Sequence, residues 1–274
     1  MPSPETLILT EHEGVVRVTL NRPAVMNAIS RQMADEFADT LLALQPRKDV
    51  RVLVLHGAGG NFCAGGDVKG MHKAGPRGVG EAREGMARYL RMTKALRDFD
   101  RPVIAAADGV AFGAGFSLLL LADMVLLGER ARLSMVFGRV GLIPDCGALY
   151  TLPRVVGVQR AKEIVFSARE LHAAEAHALG LAMEVLPSDA LLDRATAIAA
   201  SLCHASPLAL ASAKGILDQS LNCTLDDLLE QEVDAQAMAL ASDYHREAVN
   251  RFTARKPPLF AWPGSVAMPD PSGF

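Results

Sequence analysis

The stretch Asp108-Gly-Val-Ala-Phe-Gly-Ala-Gly-Phe-Ser-Leu-Leu-Leu-Leu121 follows the apolar run Pro102-Val-Ile-Ala-Ala-Ala107, and it constrains the chain more than any other segment. An extended run enters, a glycine-bearing turn reverses it, and an apolar run of helical length leaves from Phe116 to about Leu127. Such a strand, turn, helix junction aims unpaired backbone N–H groups and the positive end of a helix dipole at one point, which favours negative charge there. Taken alone, Gly113 and Gly115 serve a tight turn and close packing just as well. A second loop has the same character. Val50 to His56 reads as a strand buried on both faces, it ends in Gly57-Ala-Gly-Gly-Asn61, and Phe62-Cys-Ala-Gly-Gly-Asp67 follows at once.

Around these two loops the chain alternates. Leu7 to Thr10 and Val15 to Leu20 are β-rich and separated by a hairpin signal. Pro23 ends extended structure, and Ser30 caps a helical pattern with Met33, Phe37, Leu41 and Leu44 on one face. Residues 70 to 80 hold glycines and prolines without periodicity and predict a mobile loop, with a helix from about Glu81 to Leu96. Met124 to Leu127, Arg132 to Met135 and Met183 to Leu186 predict short strands. An amphipathic helix from Ala148 to Leu152 is expected to break at Pro153, helices are expected over 161–166, 173–179 and 191–203, and from Pro207 onward nearly everything reads as helix. The pattern predicts an α/β core over 1–190, a helical region over 191–256 and an extended or disordered tail over 257–274.

Several function classes are disfavoured. A net charge of −3 offers no footprint for nucleic acid or an anionic membrane, and no apolar run is long enough to span a bilayer. Cys63, Cys146, Cys203 and Cys223 show no CxxC pair, which with the lack of a secretory pattern points to free thiols and a cytoplasmic setting. The seven histidines form no ligand spacing, so no metal is expected. P-loop, dinucleotide and Gly-x-Ser-x-Gly signatures are absent. Asp145 stands just ahead of a helix, where it can cap or act as a base, and Asp67 can cap likewise. Asp123 reads as a structural partner for backbone N–H groups or an arginine.

Five fragments in order, Phe62-Cys-Ala-Gly-Gly-Asp67, Arg101-Pro-Val-Ile-Ala-Ala, Asp108 through Gly115, Ala122-Asp123, and Gly141-Leu-Ile-Pro-Asp-Cys-Gly with Leu152-Pro-Arg-Val-Val-Gly157, resemble the crotonase family of enoyl-CoA hydratases and isomerases. The resemblance implies a spiral of strand-strand-helix turns with a helical C-terminal trimerisation region. It also implies an acyl-CoA substrate, no cofactor beyond that coenzyme A, and homotrimers or dimers of trimers. By position it assigns the backbone N–H groups of Gly66 and Ala114 as an oxyanion hole. Adenine and pantetheine contacts fall on Arg22 to Ala24 and on Ala64, Gly65 and Asp67, with Gly113 small enough for close approach. Phe252 and Lys256 match residues that reach the nucleotide phosphates, often from a neighbouring subunit.

The departures narrow the reaction. Hydratases of this family carry glutamates at the positions of Ser117 and Phe137, and neither residue here can deprotonate water or deliver a proton at pH 7. Asp145 instead matches the catalytic Asp of certain dienoyl-CoA and ring-opened phenylacetyl-CoA isomerases. One shuttling carboxylate suffices for an isomerase, provided apolar neighbours such as Phe116, Phe137, Leu142 and Ile143 raise its pKa. The expected activity is a double-bond shift in an enoyl-CoA. A hydratase and a CoA-binding scaffold that has lost its chemistry are the alternatives.

Overall fold

The computed structural model describes residues 4–73 and 78–264. The chain opens with β1 (Leu7–His12) and β2 (Val15–Leu20), an antiparallel pair turned by Glu13 and Gly14, whose φ of 46° and 86° match the two left-handed residues of a tight hairpin. Along β2, Val16, Val18 and Leu20 face the core while the residues between are half-buried. Helix α1 (Arg31–Leu44) starts where Ser30 Oγ accepts from Met33 N at 3.1 Å, the cap expected from the sequence, and buries Met33, Phe37, Leu41 and Leu44. Next come β3 (Val52–Gly57), α2 (Val68–Lys73) and α3 (Val79–Arg97). Part of the loop expected over 70–80 is therefore helix, and residues 74–77 lie outside the described residues.

Strands β4 (Val103–Ala107) and β5 (Val110–Phe112), helix α4 (Ala114–Leu119), and strands β6 (Met124–Gly128) and β7 (Arg132–Ser134) form the middle of the chain. The apolar run from Phe116 is not one helix to Leu127, since α4 stops at Leu119 and the chain bends into β6. Asp123 sits in that bend, off the helix. Its carboxylate accepts from Val103 N at 2.7 Å and from Lys214 Nζ at 2.8 Å, so it is the structural partner expected, with a lysine in place of an arginine. Helices α5 (Ala148–Val156) and α6 (Val158–Ser167) follow. Pro153 is carried inside α5, and the helix breaks at Gly157, whose φ of 76° leaves the helical region. The remainder is β8 (Leu171–His172), α7 (Ala173–Ala178), β9 (Glu184–Leu186) and helices α8 (Leu191–Leu202), α9 (Pro207–Gln219), α10 (Leu225–Leu240) and α11 (Asp243–Thr253).

The strands form two sheets, one in the order β1-β2-β3-β4-β6-β9 and one in the order β5-β7-β8. Two successive turns give one strand to each, β4 and β5 and then β6 and β7. All pairs in the larger sheet are parallel except the opening hairpin. Alternation divides its central strands between two cores. Leu53, Leu55, Val103, Ala105 and Leu127 face the main core, while Val52, Val54, Ile104, Ala106 and Leu126 face α8 through Ala195, Ile198 and Leu202. Residues 257–264 run back over α8, where Phe260 and Trp262 pack on the second core and Pro263 O accepts from Arg194 Nη1 at 3.0 Å. The rest of the expected tail, 265–274, lies outside the described residues. Helices α9 to α11 contain no buried residue, and Leu225, Leu229, Val233 and Met238 are between 47% and 71% exposed.

Candidate active site

The 62–67 loop is laced on both sides. Toward β5, Cys63 N donates to Val110 O and Phe112 N to Cys63 O, both at 2.9 Å. Toward α1, Ile29 N donates to Gly65 O at 2.7 Å and Asp67 N to Ile29 O at 3.0 Å. In a parallel bridge of this kind the residue between the two bonded neighbours turns its own N–H away from the partner strand. That residue is Gly66, and its N–H meets no acceptor among the described residues. The Ala114 N–H is also without an acceptor there, because Ala114 is the first residue of α4. With only six residues α4 supplies a weak dipole, so free N–H groups, more than a macrodipole, give the junction its polarity.

Glycines bring the two loops together. Gly65 has φ +90°, and a Cβ there would stand 2.7 Å from Phe112 O and 3.4 Å from Ala114 N. At Gly115 a Cβ would stand 2.3 Å from Cys63 O, so this glycine is required by the protein's own backbone, in keeping with the close packing that its sequence setting allowed. Gly113 has φ 50° and ψ −124°, a conformation that side chains strongly disfavour.

Asp145 does not cap the following helix. The cap position belongs to Gly147, no side chain fills it, and Asp145 contributes only its carbonyl, which accepts from Ala148 N at 3.1 Å. Cys146 (φ 49°) and Gly147 (φ 82°) turn the chain left-handed twice in succession, which carries the aspartate side chain away from the helix end. Its Oδ1 is shielded from solvent and has no hydrogen-bond partner among the described residues. Burial pushes the carboxyl above the usual carboxylate range, opposed by the neighbouring Cys146 thiol and by a backbone N–H. The burial has only part of the source expected, since Phe116 and Phe137 are buried but Leu142 and Ile143 are not. Leu142 and Ile143 are 54% and 75% exposed, whereas Tyr89 and Cys146, whose own hydroxyl and thiol are pushed up by burial and then by the Asp145 charge, are each 7% exposed.

No carboxylate stands at the two positions noted above. Ser117 is fully buried, and its hydroxyl donates back to Gly113 O at 3.2 Å. Phe137 is 7% exposed, with its ring 3.7 Å from where a Cβ on Gly113 would lie.

The loops expected to meet coenzyme A are joined to one another. Arg22 Nη2 donates to Asp67 Oδ2 at 2.9 Å, and Asp67 Oδ1 accepts from Gly70 N at 2.9 Å, capping α2 as its sequence position suggested. Ala24 is exposed on the first loop, Ala64 and Gly66 are half-buried on the second, and Gly65 is buried. Phe252 is 82% exposed and Lys256 is exposed, and no hydrogen bond or ion pair brings either to these loops among the described residues.

Two residues of the site escaped the sequence reading. Asn27 is fully buried with φ +56°. It accepts from Arg22 N at 2.8 Å and donates to Ala58 O and Asn61 O at 2.9 and 2.8 Å, tying the Arg22 loop to the segment before Cys63. Tyr89 donates to Ile29 O at 3.0 Å, the same carbonyl that accepts from Asp67 N, and so fastens α3 to the segment bridged to Gly66. Its signal was a lone polar aromatic at helical spacing between Met86 and Thr93. Met86, Tyr89, Leu90 and Thr93 face Cys146 and Gly147 across a cavity of about 480 Å³.

The sequence profile described as Enoyl-CoA hydratase/isomerase matches residues 10–262. The 1,2-epoxyphenylacetyl-CoA isomerase of Escherichia coli (strain K12) is 34% identical over 93% of this chain and 98% of its own length. The 2,3-dehydroadipyl-CoA hydratase of the same organism is 33% identical over the same shares. The crystal structure of an enoyl-CoA hydratase/isomerase from Cupriavidus metallidurans CH34 superimposes with a TM-score of 0.91 at 41% identity, covering 97% of this chain and 100% of that one. The two E. coli relatives carry different reactions at nearly equal identity, so the choice between reactions rests on the site. The free backbone donors, the spiral of paired strands and these likenesses agree that the chain belongs to the enoyl-CoA hydratase/isomerase family.

Proposed function

We propose that this family member shifts a carbon–carbon double bond in an enoyl-CoA, with Asp145 as the single proton shuttle and the N–H groups of Gly66 and Ala114 as an oxyanion hole. The observation that carries the reading is the Asp145 carboxyl, with a shielded, unpartnered Oδ1 and a pKa raised by burial, in a site where Ser117 is turned back on its own helix and Phe137 is apolar. A raised pKa makes a carboxylate a better base at neutral pH. It takes a proton from one end of the allylic system, the electron pair moves toward the thioester oxygen, and the enolate rests against the two N–H donors. The proton then returns at the other end, so the double bond moves with no net change in composition. Donors fixed where the negative charge develops stabilise the enolate more than the ground state, and loss of one typically lowers the rate ~100-fold to 1000-fold.

Water addition would need a second group to orient and activate water, and neither residue 117 nor residue 137 offers one. The coenzyme A portion is assigned to Arg22, Ala24, Ala64, Gly65 and Asp67, with Phe252 and Lys256 contributed by a neighbouring copy. That arrangement fits the exposed apolar residues of α10 and a trimer or dimer of trimers. Sedimentation of a monomer at micromolar concentration would exclude the shared site. The reaction is tested by following a 3-enoyl-CoA and crotonyl-CoA in parallel: rapid conjugation of the first with slow hydration of the second is expected, and the reverse order would make the protein a hydratase.

A further inference from the structure

The cavity beside Asp145 has one property that the double-bond shift does not use. Its wall on α3 is Arg83, Met86, Leu90 and Thr93, with Cys146 opposite, and the Arg83 guanidinium is the single formal charge among its lining residues. Other arginines of this helix are neutralised, since Arg88 pairs with Asp35 and Arg91 with Asp39 of α1. Arg83 has Val79 and Gly80 behind it and Met86 and Ala87 ahead of it at helical spacing, so no carboxylate stands within reach on its own helix face. Among the described residues it makes no ion pair and no side-chain hydrogen bond. Residues 74–77 include no Asp or Glu.

Arg83 and Thr93 are separated by about 15 Å of helix rise. Thr93 marks the end of the cavity next to Cys146 and Asp145, and Arg83 marks the outer end. An acyl chain reacting at Asp145 and lying along this wall buries its methylenes against Met86 and Leu90 and brings its far end to the guanidinium. A methyl terminus would cover a charge with hydrocarbon. A carboxylate would meet a planar donor fork that can bind both oxygens, at the exposed outer end of the cavity. Resting on the placement of the acyl chain next to Asp145, we propose that the substrate is an enoyl-CoA whose acyl chain ends in a carboxylate, held by Arg83.

The test measures binding by calorimetry on the full-length protein, using saturated probes that cannot react and are long enough to span the wall: suberyl-CoA and sebacyl-CoA, each compared with its terminal methyl ester. The wild type is expected to bind at least one acid about tenfold more tightly than its ester. In Arg83→Gln that acid-to-ester ratio is expected to fall toward one. Two results would overturn the proposal. One is a wild type that prefers neither acid. The other is an Arg83→Gln variant that weakens acid and ester by the same factor, which would place the guanidinium on the coenzyme A phosphates. Because no probe reacts, failure of the isomerase reading leaves the ratio intact, and a ratio of one leaves the isomerase reading intact.

Discussion

Gly115→Ala tests whether the two backbone loops are held together as tightly as the hydrogen bonds suggest. The added Cβ would stand 2.3 Å from Cys63 O, 2.8 Å from Cys63 Cβ and 2.9 Å from the Cys63 carbonyl carbon, where ordinary contacts begin at 3.4 Å. Something must therefore move by about 1 Å. The obstacle is backbone held by bonds to Val110 O and from Phe112 N, so it cannot swing aside as a flexible side chain would. Overpacking of this kind costs roughly 1–3 kcal/mol, and each kcal/mol lowers Tm by about 2–4 °C in a domain of this size. The displacement falls on the segment that carries Gly66, where a 1 Å error in a positioned group can lower turnover ~100-fold. Thermal melts and steady-state turnover on an enoyl-CoA would be read together, with Gly138→Ala as control because no atom lies within 4 Å of a Cβ there. The control should stay within about 0.5 kcal/mol of wild type. A Gly115→Ala protein that melts and turns over like the wild type would refute the reasoning.

Other expectations follow from single contacts. Asp145→Asn should raise Tm at pH 7: a carboxyl whose pKa is raised by folding contributes fully below the unfolded carboxyl range and loses that contribution as pH rises through its folded value. Melts near pH 4 and pH 8 would show the gain at the higher pH and little at the lower. Ser30→Ala should cost ~1 kcal/mol in chemical denaturation by removing the α1 cap. Tyr89→Phe should cost ~1 kcal/mol and lower turnover more than substrate affinity, since it frees α3 from the carbonyl that also fixes Asp67 N.

Much of the scaffold was legible because it is written in local signals. The hydrophobic periods of β2, β3 and α1, the cap at Ser30, the cap at Asp67 and the glycine content of both loops all point to the observed structure without reference to distant residues. What was not legible depends on contacts remote in sequence. β5 is three residues long and exists through pairing with β7 and the bridge to Cys63. The short α4 ends because the chain must return to pair β6 with β4, and Pro153 is tolerated within a helix that tertiary packing maintains. Asp145 is the most instructive case. Its sequence position allowed a cap or a base, and only the double left-handed turn at Cys146 and Gly147, together with the nearby Tyr89, shows that it does not cap and that its Oδ1 is shielded without a partner among the described residues. The local pattern therefore located the candidate site, and the tertiary structure was needed to distinguish its roles.

The proposed function depends on one half-buried aspartate, Asp145, moving the proton. Deuterium uptake from heavy water into the α- and γ-carbons of an enoyl-CoA measures that transfer directly, independently of which double-bond position is favoured at equilibrium. Rapid exchange is expected with the wild type and a loss of ~100-fold to 10,000-fold with Asp145→Asn, in a protein that still binds the substrate. Exchange that survives Asp145→Asn at the wild-type rate would contradict the proposed function.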